Sequence, residues 1–309
     1  MKTRAWVSFW LLGLIWGSSY LFIRIGVAEL KPVEVVFIRT TIAALGLGLV
    51  SYLRRIPFPR DWPTLRSLGI IGLGNVVAPF MLITWGEQTI QSGIAAVLQA
   101  TAALFSLVVA HFAFEDERIT PQKIVGLVVG FIGVVVLFSG ELVEKNTEAT
   151  GILGALAVVV ASFCYATFTA MGRKVIQTKV EPITVAFVTM AVASIATAPI
   201  ALLGELGFTP VAGISTRALA SVVVLGLLNT FVAYLFYYSI VRELGASRAS
   251  MVTYVIPPVG VALGALLLHE QVDITLLLGA GLIFSGITIV NVRSMRRSVL
   301  EKQVTGEVA

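Results

Sequence analysis

Charge is scarce in this chain: Asp, Glu, Lys and Arg together make up 13% of its 309 residues, whereas 57% are hydrophobic. Soluble domains are about a quarter charged and about half apolar, so a water-facing surface of ordinary polarity is excluded. Cysteine is nearly missing. Cys164 stands alone, which rules out an intrachain disulfide or a cysteine-rich metal site. Only two histidines occur, His111 near the end of one apolar run and His269 in a turn after another, and they share no ligand spacing. There is no HExxH, no pair of carboxylates deep in an apolar run and no nucleophile with a recognisable base, so no catalytic residue, metal or cofactor is expected. The string Gly69–Gly74 (GIIGLG) lacks the strand–turn–helix setting of a nucleotide-binding loop. No stretch between apolar runs is long enough for a soluble NTPase domain. The net charge of +5 is spread over many short loops and not gathered in one patch, which argues against a nucleic-acid partner.

What is present is a series of long apolar runs. About 20 helical residues cross a bilayer core of about 30 Å, and runs of that length fall at 5–27, 33–53, 67–86, 92–113, 121–139, 151–172, 182–203, 218–240, 246–268 and 274–292. The sequence therefore predicts an all-α, polytopic membrane protein with ten transmembrane helices. Lys2 and Arg4 ahead of the first run resemble the start of a signal peptide, but the run continues to Arg24 without a small-residue cleavage site and reads as an uncleaved first helix.

The basic residues set the expected orientation. With ten spans, seventeen Lys and Arg, among them Arg54, Arg60, Lys123, Lys174 and Arg242, fall on one side and three, Lys31, Lys145 and Arg217, on the other. Positive charge collects in the cytoplasm, so both termini are predicted to be cytoplasmic, in a multi-pass protein of the inner (plasma) membrane.

The chain also repeats itself. An offset of 153 residues brings Glu117, Gly126, Phe131 and Gly133 onto Glu270, Gly279, Phe284 and Gly286, and an offset of 154 brings Gly72, Leu73 and Asn75 onto Gly226, Leu227 and Asn229. Five spans per half is an odd number, so the second copy enters the membrane from the opposite side. The predicted architecture is two inverted five-helix repeats around a central cavity, at 1–145 and 146–292, followed by a basic cytoplasmic tail at 293–309. Gly13 with Gly17, Gly126 with Gly130 and Gly260 with Gly264 give GxxxG spacings that suit close packing within one chain, ahead of dimerisation, so a monomer is expected.

These features together resemble the EamA-type branch of the drug/metabolite transporter superfamily. The resemblance rests on WGSSYLFIR (Trp16 to Arg24), FIR (Phe37 to Arg39), the paired segments ending in Gly133 and Gly286, and the Pro257 region leading to Glu270, and it covers residues 5–292. It implies ten helices, a central cavity and export of amino acids or other small metabolites and drugs. One departure is that Leu104 stands in the first half where Pro257 stands in the second, which puts the symmetry of the two gates in doubt.

Candidate solute-binding residues are polar or irregular positions at membrane depth, tolerated where they line a cavity or are buried in protein. Pro79 releases the carbonyl of Asn75, whose repeat partner is Asn229, and Pro257 with Pro258 release the carbonyls of Thr253 and Tyr254. An aromatic set comprises Trp16, Tyr20, Tyr165 and Tyr234, with Tyr237 and Tyr238 beside it. The alternatives are kinked packing helices and rings packed between helices. Arg39 lies roughly 9 Å inside the second span at helical rise, a depth that makes an arginine a functional candidate. With Arg24 as a second cation, it favours a solute bearing a carboxylate; the alternative is a helix-end tie or a pair with Glu87. Glu117 and Glu270 read as residues that hold turns.

The function expected is secondary transport of small carboxylate-bearing or aromatic solutes, export first, by alternating access. A channel or a membrane scaffold is the alternative. Because Glu34, Glu87 and His111 all lie near span ends, no deep titratable relay is evident, and facilitated exchange or uniport is expected ahead of tight proton coupling.

Overall fold

The computed structural model describes residues 2–114, 119–143, 150–176, 180–203, 208–210 and 213–304. Among them nine helices are long and apolar enough to cross a membrane: α1 (Ala5–Val27), α2 (Pro32–Leu53), α3 (Trp62–Gly86), α4 (Ser92–Ala113), α5 (Pro121–Ser139), α6 (Thr150–Arg173), α7 (Pro182–Leu203), α8 (Thr216–Leu244) and α9 (Arg248–Leu268). A shorter apolar stretch, α10 (Ile274–Val290), begins a helix that runs on to Val304. Lipid-facing positions carry large apolar side chains such as Leu45, Leu49, Val135, Ile195, Leu203 and Leu278. The protein is an all-helical polytopic membrane protein. The boundary expected at residue 145 and the turn residues Glu117 and Arg118 lie outside the described residues.

The helices begin where the sequence supplies caps. Helix α3 starts five residues earlier than its apolar run because the Asp61 carboxylate accepts the Thr64 N–H at 2.9 Å and Pro63 fits the first turn. Ser215 caps α8 in the same way, accepting from Ala218 N–H at 3.1 Å.

Five of the spans are interrupted, α1 by no more than a turn at Ser18. In α3 a π-turn occupies Leu73–Val77, and Ala78 N–H reaches back to Leu73 O. Pro79 lacks the N–H that would bond Asn75 O and crowds that carbonyl, so widening the turn is the relaxed solution. The same widening occurs in α8 at Leu227–Val232 without a proline; there the Thr230 hydroxyl donates to Leu225 O at 2.8 Å and fills the loosened ladder. In α4 the amides of Ala100, Thr101, Ala103 and Leu104 bond three residues back at 2.9–3.1 Å. In α9 a 3₁₀ turn covers Met251–Tyr254 ahead of Pro257. The gap between Leu104 and Pro257 in the sequence therefore does not leave α4 continuous: both helices tighten at corresponding places.

Packing is densest between α5 and α10, followed by α3 on α6 and α2 on α7. A Cβ added at Gly126 would sit 2.6 Å from Gly286 O, and one added at Gly133 would sit 2.7 Å from Gly279 O. Backbones at that separation tolerate only glycine. On the α2–α7 face, Thr41 Oγ1 and Ser194 Oγ are 2.6 Å apart.

The turns at one end of the bundle carry the acidic residues Glu29, Glu87, Glu270 and Asp273, and those at the other carry Arg54, Arg55, Arg60 and Arg242. The acidic end is tied shut by side chains. Glu34 accepts from Thr209 N–H at 2.8 Å, Glu29 accepts from Ser215 N–H at 2.6 Å, and Glu270 accepts from Ser92 N–H at 2.8 Å. Glu29 at this end, and Asp61 in the turn before α3 at the other, are exposed. The hydroxyl and amide of Ser215 hold the exposed Glu29 carboxyl below the usual carboxylate range, and Thr64 does the same for Asp61.

Candidate functional site

The site is organised around Arg39. Helix α2 starts at Pro32, where the Glu34 carboxylate accepts Lys31 N–H at 2.9 Å and closes a capping box. Arg39 follows on the face turned into the bundle and is 7% exposed. Its Nε donates to Thr230 Oγ1 at 2.7 Å, and its guanidinium carbon lies 3.9 Å from the centre of the Phe80 ring. Both partners come from interrupted helices: Thr230 belongs to the π-turn of α8, and Phe80 follows Pro79 directly after the π-turn of α3. The local departures from helix thus place one hydroxyl and one ring against one cation.

No carboxylate among the described residues lies within ion-pair distance of Arg39. Glu34 is held by Lys31 and Thr209, and Glu87 reaches Arg39 only through longer-range attraction. Around the guanidinium stand Tyr20 from α1, Tyr165 from α6 and Tyr234 from α8. Trp16 extends this wall, with its ring centre 6.4 Å from Tyr234 and 5.5 Å from Tyr237; Tyr234 and Tyr238 are 6.0 Å apart. A desolvated, unpaired guanidinium among aromatic faces is suited to a planar anionic group, which it can grip bidentately while the rings pack on the rest of the solute.

The other residues expected at the site are placed differently. Asn75 is half-buried, and its Oδ1 accepts from Thr169 Oγ1 at 3.2 Å. Asn229 is fully buried and ties α8 to α1, donating to Ile15 O, to Ser18 Oγ at 2.9 Å and to Ser19 Oγ at 3.2 Å. Pro79 is buried beside the Arg39 partners. On α9, Thr253 is exposed and donates to Ser250 O at 2.8 Å, Tyr254 packs half-buried against the main apolar core, and Pro257 is buried. The structure brings Trp16, Tyr20, Arg39, Tyr165 and Tyr234 together, and Tyr254 packs on the same apolar core as Tyr20 and Tyr165.

Several neighbours were not evident from the sequence. Thr230 had a signal in its place next to Asn229. Phe80 had one in its place after Pro79. Arg24, which donates to the backbone carbonyl of Glu87, caps the end of α3 from α1, a contact across 63 residues that no local pattern announces.

The model of the EamA-like transporter family matches this chain twice, over residues 4–139 and 152–292. An uncharacterized transporter of Archaeoglobus fulgidus is 31% identical over 93% of this chain and 98% of its own length. A probable terminal-alkyne amino-acid exporter of Streptantibioticus cattleyicolor is 28% identical, over 91% of each chain. Among solved structures, one crystal structure superposes with a TM-score of 0.64 at 18% identity, covering 94% of this chain and 98% of its own; at that identity the likeness concerns the fold.

Proposed function

We propose, for a chain that belongs to the EamA-like transporter family, that it is a carrier exporting small carboxylate-bearing metabolites, amino acids foremost, across the cytoplasmic membrane. The observation that carries the substrate class is Arg39, a buried cation with no acidic partner among the described residues, set among Trp16, Tyr20, Tyr165 and Tyr234. A solute carboxylate supplies the missing counter-charge, and an aromatic or aliphatic side chain finds the rings. The relative from Streptantibioticus cattleyicolor, named a probable amino-acid exporter, supports an amino acid as the first solute to try.

Alternating access follows from two inverted halves, 1–145 and 146–292, with 293–309 as a cytoplasmic tail. The contacts support this arrangement. Under an offset of 153, Gly126 corresponds to Gly279 and Gly133 to Gly286; the contacts Gly126–Gly286 and Gly133–Gly279 therefore exchange with each other, as a two-fold axis in the membrane plane requires. Thr41 and Ser194, also 153 apart, bond each other across the same axis. The positive-inside bias puts the basic end and both termini in the cytoplasm, so the conformation described is closed towards the outside.

Replacing Arg39 with Gln tests the substrate reading. A hydrogen bond to a charged group contributes about 1.5–3 kcal/mol, so uptake of carboxylate solutes such as phenylalanine into inverted vesicles should fall about 10- to 100-fold. Neutral analogues such as phenylalaninamide should be affected far less, with the protein still inserted. Equal loss for both classes leaves Arg39 a purely structural role.

A further inference from the structure

Glu87 is the residue that the carrier reading leaves unexplained. It ends α3 at the acidic end, is 0% exposed, and among the described residues neither of its carboxylate oxygens has a hydrogen-bond partner. The ionisable groups facing it are Tyr20 and Arg24 from α1, Arg39 from α2 and Glu270 from the turn between α9 and α10. Helix α6 meets the same stretch of chain through Gly154 against Gly86 and the carbonyl of Thr150 against Thr89, without an ionisable group at those contacts. Arg24 approaches most directly, but it donates to the Glu87 backbone carbonyl, not to the carboxylate.

The neighbouring carboxylate has a very different setting. Glu270 accepts from Ser92 N–H at 2.8 Å, Ser92 Oγ at 2.9 Å and Gly93 N–H at 3.0 Å, so its charge is met by three donors at the first turn of α4. That cap also joins α4 to α9, where Gly264 and Gly260 let the helices close on Ser92 and Ala96. An ionised carboxylate at Glu87 would have no such donors among the described residues and would face Glu270 from a position with no solvent exposure. Burying a bare charge in this way is strongly unfavourable, and a proton removes the penalty.

We propose that Glu87 is the proton-binding site of this carrier, occupied while the acidic end is closed and released when that end opens to water. Closure and proton binding are then linked: the closed form holds the proton more tightly than any form in which Glu87 is hydrated, and lower pH favours closure. This adds a coupling ion to the carrier reading and replaces the exchange or uniport without protons expected from the sequence. It rests on the fold of the acidic end and not on the solute bound at Arg39.

The test therefore needs no substrate. The wild type and Glu87→Gln, each in lipid nanodiscs, are compared by infrared difference spectroscopy at neutral pH. The expected result is the C=O stretch of a protonated carboxyl in the wild type that is missing in Glu87→Gln and present, shifted, in Glu87→Asp. On the same samples, hydrogen–deuterium exchange across 88–99, corrected for intrinsic rates, reads the α4 cap. Protection in the wild type should drop as pH is raised, while Glu87→Gln stays protected throughout. Carboxylate absorption from Glu87 at neutral pH, or the same pH dependence of exchange in wild type and Glu87→Gln, overturns the proposal. Glu87→Asp keeps the infrared arm decisive if the Gln variant fails to fold.

Discussion

Arg39 shows how a single residue acquires a role from its surroundings. A guanidinium keeps its charge at any physiological pH, so at this depth it must be matched by donors, rings or a ligand. Here Thr230 orients it and Phe80 covers one face. Thr230→Val removes the orienting hydroxyl and keeps the volume. Since an ordinary hydrogen bond contributes about 1 kcal/mol net, the preference for carboxylate over neutral solutes should shrink by at most about tenfold. Competition of phenylalanine and phenylalaninamide for uptake measures it, and a loss as large as that of Arg39→Gln would move the recognising group from Arg39 to Thr230. Arg39, Trp16 and the tyrosines were legible in the sequence because charge and large rings stand out in apolar runs. Glu87 was not, because its position at a span end reads as a surface turn until the neighbouring turns are seen to cover it.

At the scale of elements, the apolar runs fixed where helices lie but not where they break. Pro79 and Pro257 mark two interruptions in advance, whereas those at Leu227–Val232 and around Ala100 have no proline and arise from hydroxyl bonding and packing. Glycine carries information of the same kind. Gly133→Ala places a methyl against Gly279 O and Ile283 N, 2.7 and 2.8 Å away, where backbone cannot yield. A loss of about 1–3 kcal/mol is expected. Gly281 has open space around it, so Gly281→Ala should be neutral or gain up to about 1 kcal/mol. Thermal unfolding in detergent separates the two, and equal effects would contradict the α5–α10 contact. The Glu29–Ser215 tie makes a prediction about pH. Because the Glu29 carboxyl is held below its usual range by Ser215, its contribution is present at neutral pH and is lost as pH falls through that range and below, about 4 and lower. Wild type should therefore lose more thermal stability than Glu29→Gln between neutral pH and about pH 3; identical losses would show that the tie contributes nothing.

For the whole molecule, the inverted halves are a proposal built on the pairing of Gly126 and Gly133 with Gly286 and Gly279. The long apolar spans could be read from composition, because a bilayer demands them. The gathering of α1, α2, α3, α6 and α8 around one cation could not, since helix-to-helix contacts have no periodic signature. The proposed orientation is tested by single cysteines in a Cys164→Ser background. An impermeant maleimide added to intact cells should label Arg217→Cys and His269→Cys and leave Arg60→Cys and Lys174→Cys unlabelled; the opposite pattern would invert the assignment.

The claim that the molecule is a carrier is tested most directly by counterflow. Purified protein is reconstituted into vesicles preloaded with unlabelled phenylalanine and then diluted into a trace of labelled phenylalanine. A carrier cycling between two access states returns from the inside mostly with unlabelled solute, so the label should rise transiently above its equilibrium level and then decline, and Arg39→Gln should abolish the overshoot. Label that only equilibrates, at a rate indifferent to the internal load, would identify a channel and contradict the account.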